Sequence, residues 1–119
     1  MPRRGDDFTG AGYVPARGDV VHLNWTPSVG HEQVGPHYGL VLSQDAYNLG
    51  TGLVIVSPIT SKMGKLSGFE LPIQAGRVNG VVILSEIRTL DYQARRIECE
   101  DRAAADLVAE AIRRVRLML

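Results

Sequence analysis

The chain has 119 residues, 45% of them hydrophobic and 22% charged, with 13 Lys and Arg against 13 Asp and Glu. That length suits one small domain and excludes separate cofactor and substrate lobes, and that composition argues against both a disordered chain and a membrane protein. At zero net charge, a polyanionic partner must be met by a local patch of charge. A lone Cys99 cannot form an intramolecular disulfide or a thiolate metal site. No apolar run approaches the ~20 residues of a spanning helix, and the N-terminus lacks the apolar stretch of a signal peptide, so a cytoplasmic protein away from the membrane is expected.

Residues 1–16 are rich in Gly, Pro and charge without an apolar period, so a loose leader is expected there, followed by one domain over 17–119. Asp19 to Trp25 alternates Val21, Leu23 and Trp25 against Val20, His22 and Asn24, the period of a half-buried strand. Tyr38 to Ser43, Leu53 to Thr60, Phe69 to Ile73 and Gly80 to Ser85 are further short runs rich in β-branched residues, and Arg96 to Glu100 suits a last short strand. Asn48 to Gly52 reads as a hairpin connection and Ala75 to Gly80 as another turn, since Asn and Gly tolerate positive φ. From Asp101 the period becomes helical: Ala104, Leu107, Val108, Ala111, Ile112, Val115 and Leu119 fall on one stripe. Asp101 is the expected N-cap, and Arg113, Arg114 and Arg116 sit where a helix C-terminus favours cations. Five or six strands and then one helix imply a mainly β fold, a compact barrel with a C-terminal α-helix packed on it.

The polar connection from Thr26 to His37 is longer than a barrel hairpin needs, and such loops are either solvated or functional. It carries His31, Glu32, Gln33 and His37. His37 enters the second strand, where an imidazole either stands by or exchanges protons near neutral pH. No metal site is expected, because His31 and His37 have no third ligand at suitable spacing. His22, inside a strand, is expected to be an exposed or hydrogen-bonded face residue. Thr60, Ser61 and Lys62 end an apolar strand in two hydroxyls and an amine, which suits either a phosphate oxygen or a plain turn. Glu86 and Arg88 share one side of an extended segment, where a surface ion pair is the simpler reading.

Taken in order, Tyr13 to Val21, Thr26-Pro-Ser-Val-Gly-His-Glu-Gln33, Gly35-Pro-His-Tyr-Gly-Leu-Val-Leu-Ser43, Tyr47-Asn48, Thr51-Gly52, Pro58-Ile-Thr60, Gly68-Phe-Glu-Leu71 and Ile87-Arg-Thr89 resemble the MazF/PemK (Kid) family of toxins from about Tyr13 onward. The resemblance implies an SH3-like β barrel with a C-terminal helix, a homodimer, and a sequence-specific endoribonuclease. It further implies cleavage of single-stranded RNA by transesterification without metal or cofactor, and inhibition by a cognate antitoxin whose acidic tail fills the RNA groove. Thr60 matches the family's threonine at the end of the third strand, Glu32 its loop glutamate, and Gln33 the residue after it. His37 stands where the family usually carries Arg, so the implied catalytic set is His37, Thr60 and Glu32, with Gln33, Ser61, Lys62, Glu86 and Arg88 on RNA. A permanent forked cation is thereby exchanged for a titratable donor. Ser85-Glu86 departs too, since relatives more often show Asp or Glu followed by Gln or His, and strand alternation would turn Glu86 to the other face. Two alternatives remain: a catalytically impaired module that binds RNA or antitoxin, and a CcdB-like gyrase poison. The latter is disfavoured because CcdB chains end in Trp-Gly-Ile and this one ends Arg-Leu-Met-Leu.

Overall fold

The computed structural model describes residues 12–26, 36–62 and 68–119. Seven strands form one antiparallel sheet: β1 (Asp19–Asn24), β2 (Pro36–Val41), β3 (Leu53–Thr60), β4 (Glu70–Ala75), β5 (Val78–Ile83), β6 (Arg88–Asp91) and β7 (Glu98–Arg102). Helix α1 (Asp45–Thr51) joins β2 to β3, and α2 (Ala105–Leu117) follows β7. The sheet order is β4-β5-β3-β2-β1-β7, with β6 also on β3. Opposite its β2 edge, β3 is long enough for two partners, its first half pairing with β6 (Val56 opposite Arg88) and its end with β5 (Thr60 opposite Val81). The expected mainly β fold is thus realised as a curled half-barrel with a C-terminal helix. No described helix is long and apolar enough to cross a membrane.

The sheet buries both faces, which explains why alternation in β1 is incomplete. Val21, Leu23 and Trp25 pack with Val41, Val54, Val56, Leu90, Tyr92 and Ile97 inside the curl. Val20, expected on the polar side, is fully buried because the opposite face carries a second cluster with Leu40, Ile59, Val82, Leu84 and Ala111 of α2. Leu107, Ile112 and Val115 complete that contact, whereas Leu119, expected on the same stripe, lies past the end of α2 and is exposed. His22 is half-buried, its ring edge-on to Tyr38 with centroids 5.1 Å apart.

Several local expectations are corrected. Tyr13, Val14 and Ala16, placed in the leader, are core residues: the Tyr13 hydroxyl donates to buried Asp19 Oδ2 at 2.5 Å, and the Ala16 amide reaches the same oxygen at 3.0 Å. Burial, then the Asp19 carboxylate, holds the Tyr13 phenol far above its ordinary range. Asn48 to Gly52 is the end of α1 and not a hairpin: Gly52 at φ 73° is its left-handed cap and donates to the Asn48 carbonyl. A Gly that ends a helix and a Gly that turns a hairpin need the same positive φ, so the two look alike in sequence. Asp101 does not cap α2, because β7 continues through it to pair with β1 (Val20 opposite Asp101), and the helix starts four residues later with Ala104 at its N-cap.

On α2, the Glu110 carboxylate accepts from Arg113 (2.9 and 2.7 Å) and Arg114 (2.6 Å). Those hydrogen bonds, Arg113's first, lower its pKa from 4.5 to about 2. Between those values an unfolded chain binds a proton that the folded chain does not, so the contribution is complete above 4.5 and fades as pH falls through about 2. The melting temperatures of wild type and Glu110→Gln should therefore differ slightly near about pH 6 and converge near about pH 2. A difference that persists in acid would assign the effect to packing.

Candidate active site

β2 and β3 pair with Tyr38 opposite Ile59 and Gly39 opposite Pro58. One position beyond that ladder on each strand stand His37 and Thr60. Alternation puts both on the inner face: His37 shares its side with Gly39 and Val41, and Thr60 with Pro58, Val56 and Val54, of which Val41, Val54 and Val56 belong to the inner cluster. The register thus brings together two residues that lie far apart in sequence.

Thr60 is half-buried, and its Oγ1 accepts the Lys62 amide at 3.1 Å, which leaves the hydroxyl proton for an outside acceptor. Gly80 of β5 makes room at this strand end, since a Cβ there would lie 2.3 Å from the Thr60 carbonyl oxygen. Ser61 and Lys62 are exposed just past the strand. His37 is half-buried, one residue after the start of β2. Beneath it, the fully buried Trp25 fills the space that a side chain at Gly39 would need: its Cζ2 would be 2.8 Å from a Cβ there.

Glu86 and Arg88 do not lie on one extended segment. Residues Leu84–Glu86 form a 3-10 turn between β5 and β6, so the argument from strand alternation fails there; Ser85 is exposed and Glu86 half-buried. Arg88 points to the inner face and donates from Nη1 to the Trp25 carbonyl at 2.8 Å. Glu32, Gln33 and His31 fall outside the described residues. Composition and spacing gave no sign of the buried Asn48, of Trp25 beneath Gly39, or of Arg95, which donates to the Asn24 and Thr26 carbonyls at 3.0 and 2.6 Å. The one legible signal for Arg95 is Asp91, four residues earlier, a residue type that starts tight turns.

The profile of the PemK-like, MazF-like toxins of type II toxin-antitoxin systems matches residues 16–119. The chain belongs to this family. It is 36% identical over 108 residues to the endoribonuclease toxin ChpB of Escherichia coli K12, covering 87% of this chain and 92% of that one. The fold is similar to crystalline MazF from Deinococcus radiodurans, with a TM-score of 0.81, 43% identity, and 89% and 96% of the two chains covered. A chain in a MazE-MazF crystal structure from the same organism gives 0.77 and 40%, covering 89% and 96%. The extent of the profile match agrees with the ordered motifs that run through this toxin from Tyr13 to Thr89.

Proposed function

We propose that this toxin is a cytoplasmic, metal-independent endoribonuclease that cleaves single-stranded RNA at His37 and Thr60 and is neutralised by a cognate antitoxin. The observation that carries the reading is the juxtaposition of His37 and Thr60 at the ends of adjacent strands on one face, in a chain whose relative ChpB is an endoribonuclease toxin. In the reaction the ribose 2′-oxygen bonds to phosphorus as the bond from phosphorus to the 5′-oxygen breaks. A 2′,3′-cyclic phosphate and a 5′-hydroxyl result. The 2′-hydroxyl proton passes to a base and an acid returns one to the leaving oxygen, so no water enters this step. His37 is the group that moves a proton, and the Thr60 hydroxyl donates to a phosphate oxygen as charge builds there. Glu32 orders the loop, and Gln33, Ser61, Lys62 and Glu86 complete the RNA surface, while Arg88 is engaged on the Trp25 carbonyl.

Two copies form a homodimer, a reading supported by Leu117 and Leu119, exposed at 67% and 95% beyond the packed part of α2. A monomer mass by light scattering at micromolar concentration would overturn it. The antitoxin is an acidic segment that folds as it binds across the rim near Thr60, Lys62 and Arg88, excluding RNA.

The test is incubation of the purified, partner-free protein with a long single-stranded RNA in EDTA. Cleavage leaving 5′-hydroxyl ends is expected. Cleavage only after Mg²⁺ is restored would remove metal independence. Failure under both conditions would favour an impaired binding module, the reading that His37 in the family's Arg position supports.

A further inference from the structure

We propose that Arg95 and Arg88 form a clamp on the end of β1 that positions the His37–Thr60 pair, and that they do so without contacting RNA; this rests on the RNA-cleavage reading above. β1 loses its strand partners here, since its last pair with β7 is His22 with Glu98 and its last with β2 is Asn24 with Pro36. Three consecutive carbonyls follow; Trp25 is fully buried, where a carbonyl without a donor is costly, and it is flanked by the exposed Asn24 and Thr26. Arg95 Nη1 supplies Asn24 and Thr26, and Arg88 Nη1 supplies Trp25. Both arginines come from β6 and the turn after it, so the clamp also holds the two sides of the curl together.

Arg95 is preset for this role. The Asp91 side chain accepts the Gln93 and Ala94 amides at 3.1 and 3.0 Å, and the Asp91 carbonyl accepts the Arg95 amide at 3.1 Å. From the clamped carbonyls the contact chain is short. The Trp25 backbone fixes its indole, the indole lies against Gly39, and Gly39 is two residues from His37 on the same face. A displacement of Trp25 is therefore delivered to the strand end where His37 meets Thr60, and misplacement by about 1 Å is enough to cost ~10² in rate. Charge alone does not perform this function, since one planar nitrogen bridges the carbonyls on either side of Trp25.

Cleavage of a short RNA by wild type, Arg95→Ala, Arg95→Lys and Arg88→Gln, together with backbone amide exchange, tests the proposal. For all three variants kcat should fall about 10- to 100-fold with KM within about threefold, and the salt dependence of KM should keep its slope. Exchange should quicken at residues 24–26 and at 38–39. A contact to phosphate would behave differently: KM would rise, the salt slope would drop by about one, and Lys would largely rescue Arg95→Ala. That pattern overturns the proposal, as does an unchanged kcat. Should wild type itself leave RNA uncut, the proposed activity fails, and exchange decides the clamp alone: unaltered protection at residues 24–26 in the variants would overturn it.

Discussion

Replacing His37 by alanine is expected to slow RNA cleavage by about 10²–10⁴ while changing RNA affinity much less. The argument starts from side-chain chemistry. An arginine in this position stays protonated at every physiological pH, so it can hold charge but contributes no proton of its own to a pH profile. An imidazole can both give and take a proton near neutral pH, so the wild-type rate should vary with pH there where an arginine's would not. His37→Gln, which keeps a hydrogen-bond donor at similar size, should lose as much as His37→Ala. His37→Arg should flatten the profile and, if the family's charge-holding role can be resumed, recover part of the rate. Rates measured across that pH range for the four proteins decide the matter. Wild-type cleavage by both His37→Ala and His37→Gln would move the chemistry elsewhere, with Glu86, half-buried on the turn before β6, the next group to examine.

The largest effect on stability is expected at Asn48, outside the candidate site. It is fully buried; its Nδ2 donates to the Pro15 carbonyl at 2.7 Å and the Ser43 carbonyl at 3.3 Å, while its Oδ1 accepts the Ser43 hydroxyl at 2.5 Å. Ser43 Oγ in turn accepts the Ile55 amide at 2.9 Å, and the Tyr92 hydroxyl donates to the Asn48 carbonyl at 3.1 Å. One amide thus ties the segment before β1 to the start of α1 and, through Ser43, to β3. Asn48→Ala leaves the Pro15 carbonyl and the Ser43 hydroxyl buried without this partner, and each such loss costs about 1–3 kcal/mol. A total of roughly 2–6 kcal/mol should lower the urea midpoint by about 1–3 M. Folded protein at low temperature should still cut RNA, which separates this variant from those at His37. A loss below about 1 kcal/mol would mean that water takes over the vacated bonds.

The parts of the fold that follow from side-chain periodicity were legible. Leu107, Ala111, Ile112 and Val115 gave α2, and Val21, Leu23 and Trp25 gave β1 with its inner face. What periodicity could not carry was anything decided by backbone partners. Asp101 has the chemistry of an N-cap, yet pairing with β1 keeps it in a strand. Gly52 serves equally well in a helix cap and a hairpin, and only the surrounding chain distinguishes them. The site divides in the same way. Thr60 was visible as the polar end of an apolar run, whereas its position beside His37 depends on the β2–β3 register, which a sequence does not display. The arginines on the Asn24, Trp25 and Thr26 carbonyls were illegible as such, because every residue carries a carbonyl and the acceptor leaves no trace in composition.

The pairing of β1 with β7 sets a kinetic character for the whole molecule. Asp19 meets Arg102 across most of the chain, and β1 cannot be flanked on both sides until nearly everything between has been gathered in. Local hairpins such as β4–β5, joined through Gly76 and Arg77, close at small entropic cost and form early, but that final ladder must wait. A topology with such distant contacts places folding in the range of milliseconds to seconds, well behind helical bundles of similar size. Until β7 arrives, Asp19 lacks the pairing that fixes its end of β1, and the Val-rich β1 presents an open edge to any strand that can reach it. The interval before closure is therefore when this chain is most exposed to mispairing, and variants that weaken the β1–β7 ladder should show it first as aggregation during refolding.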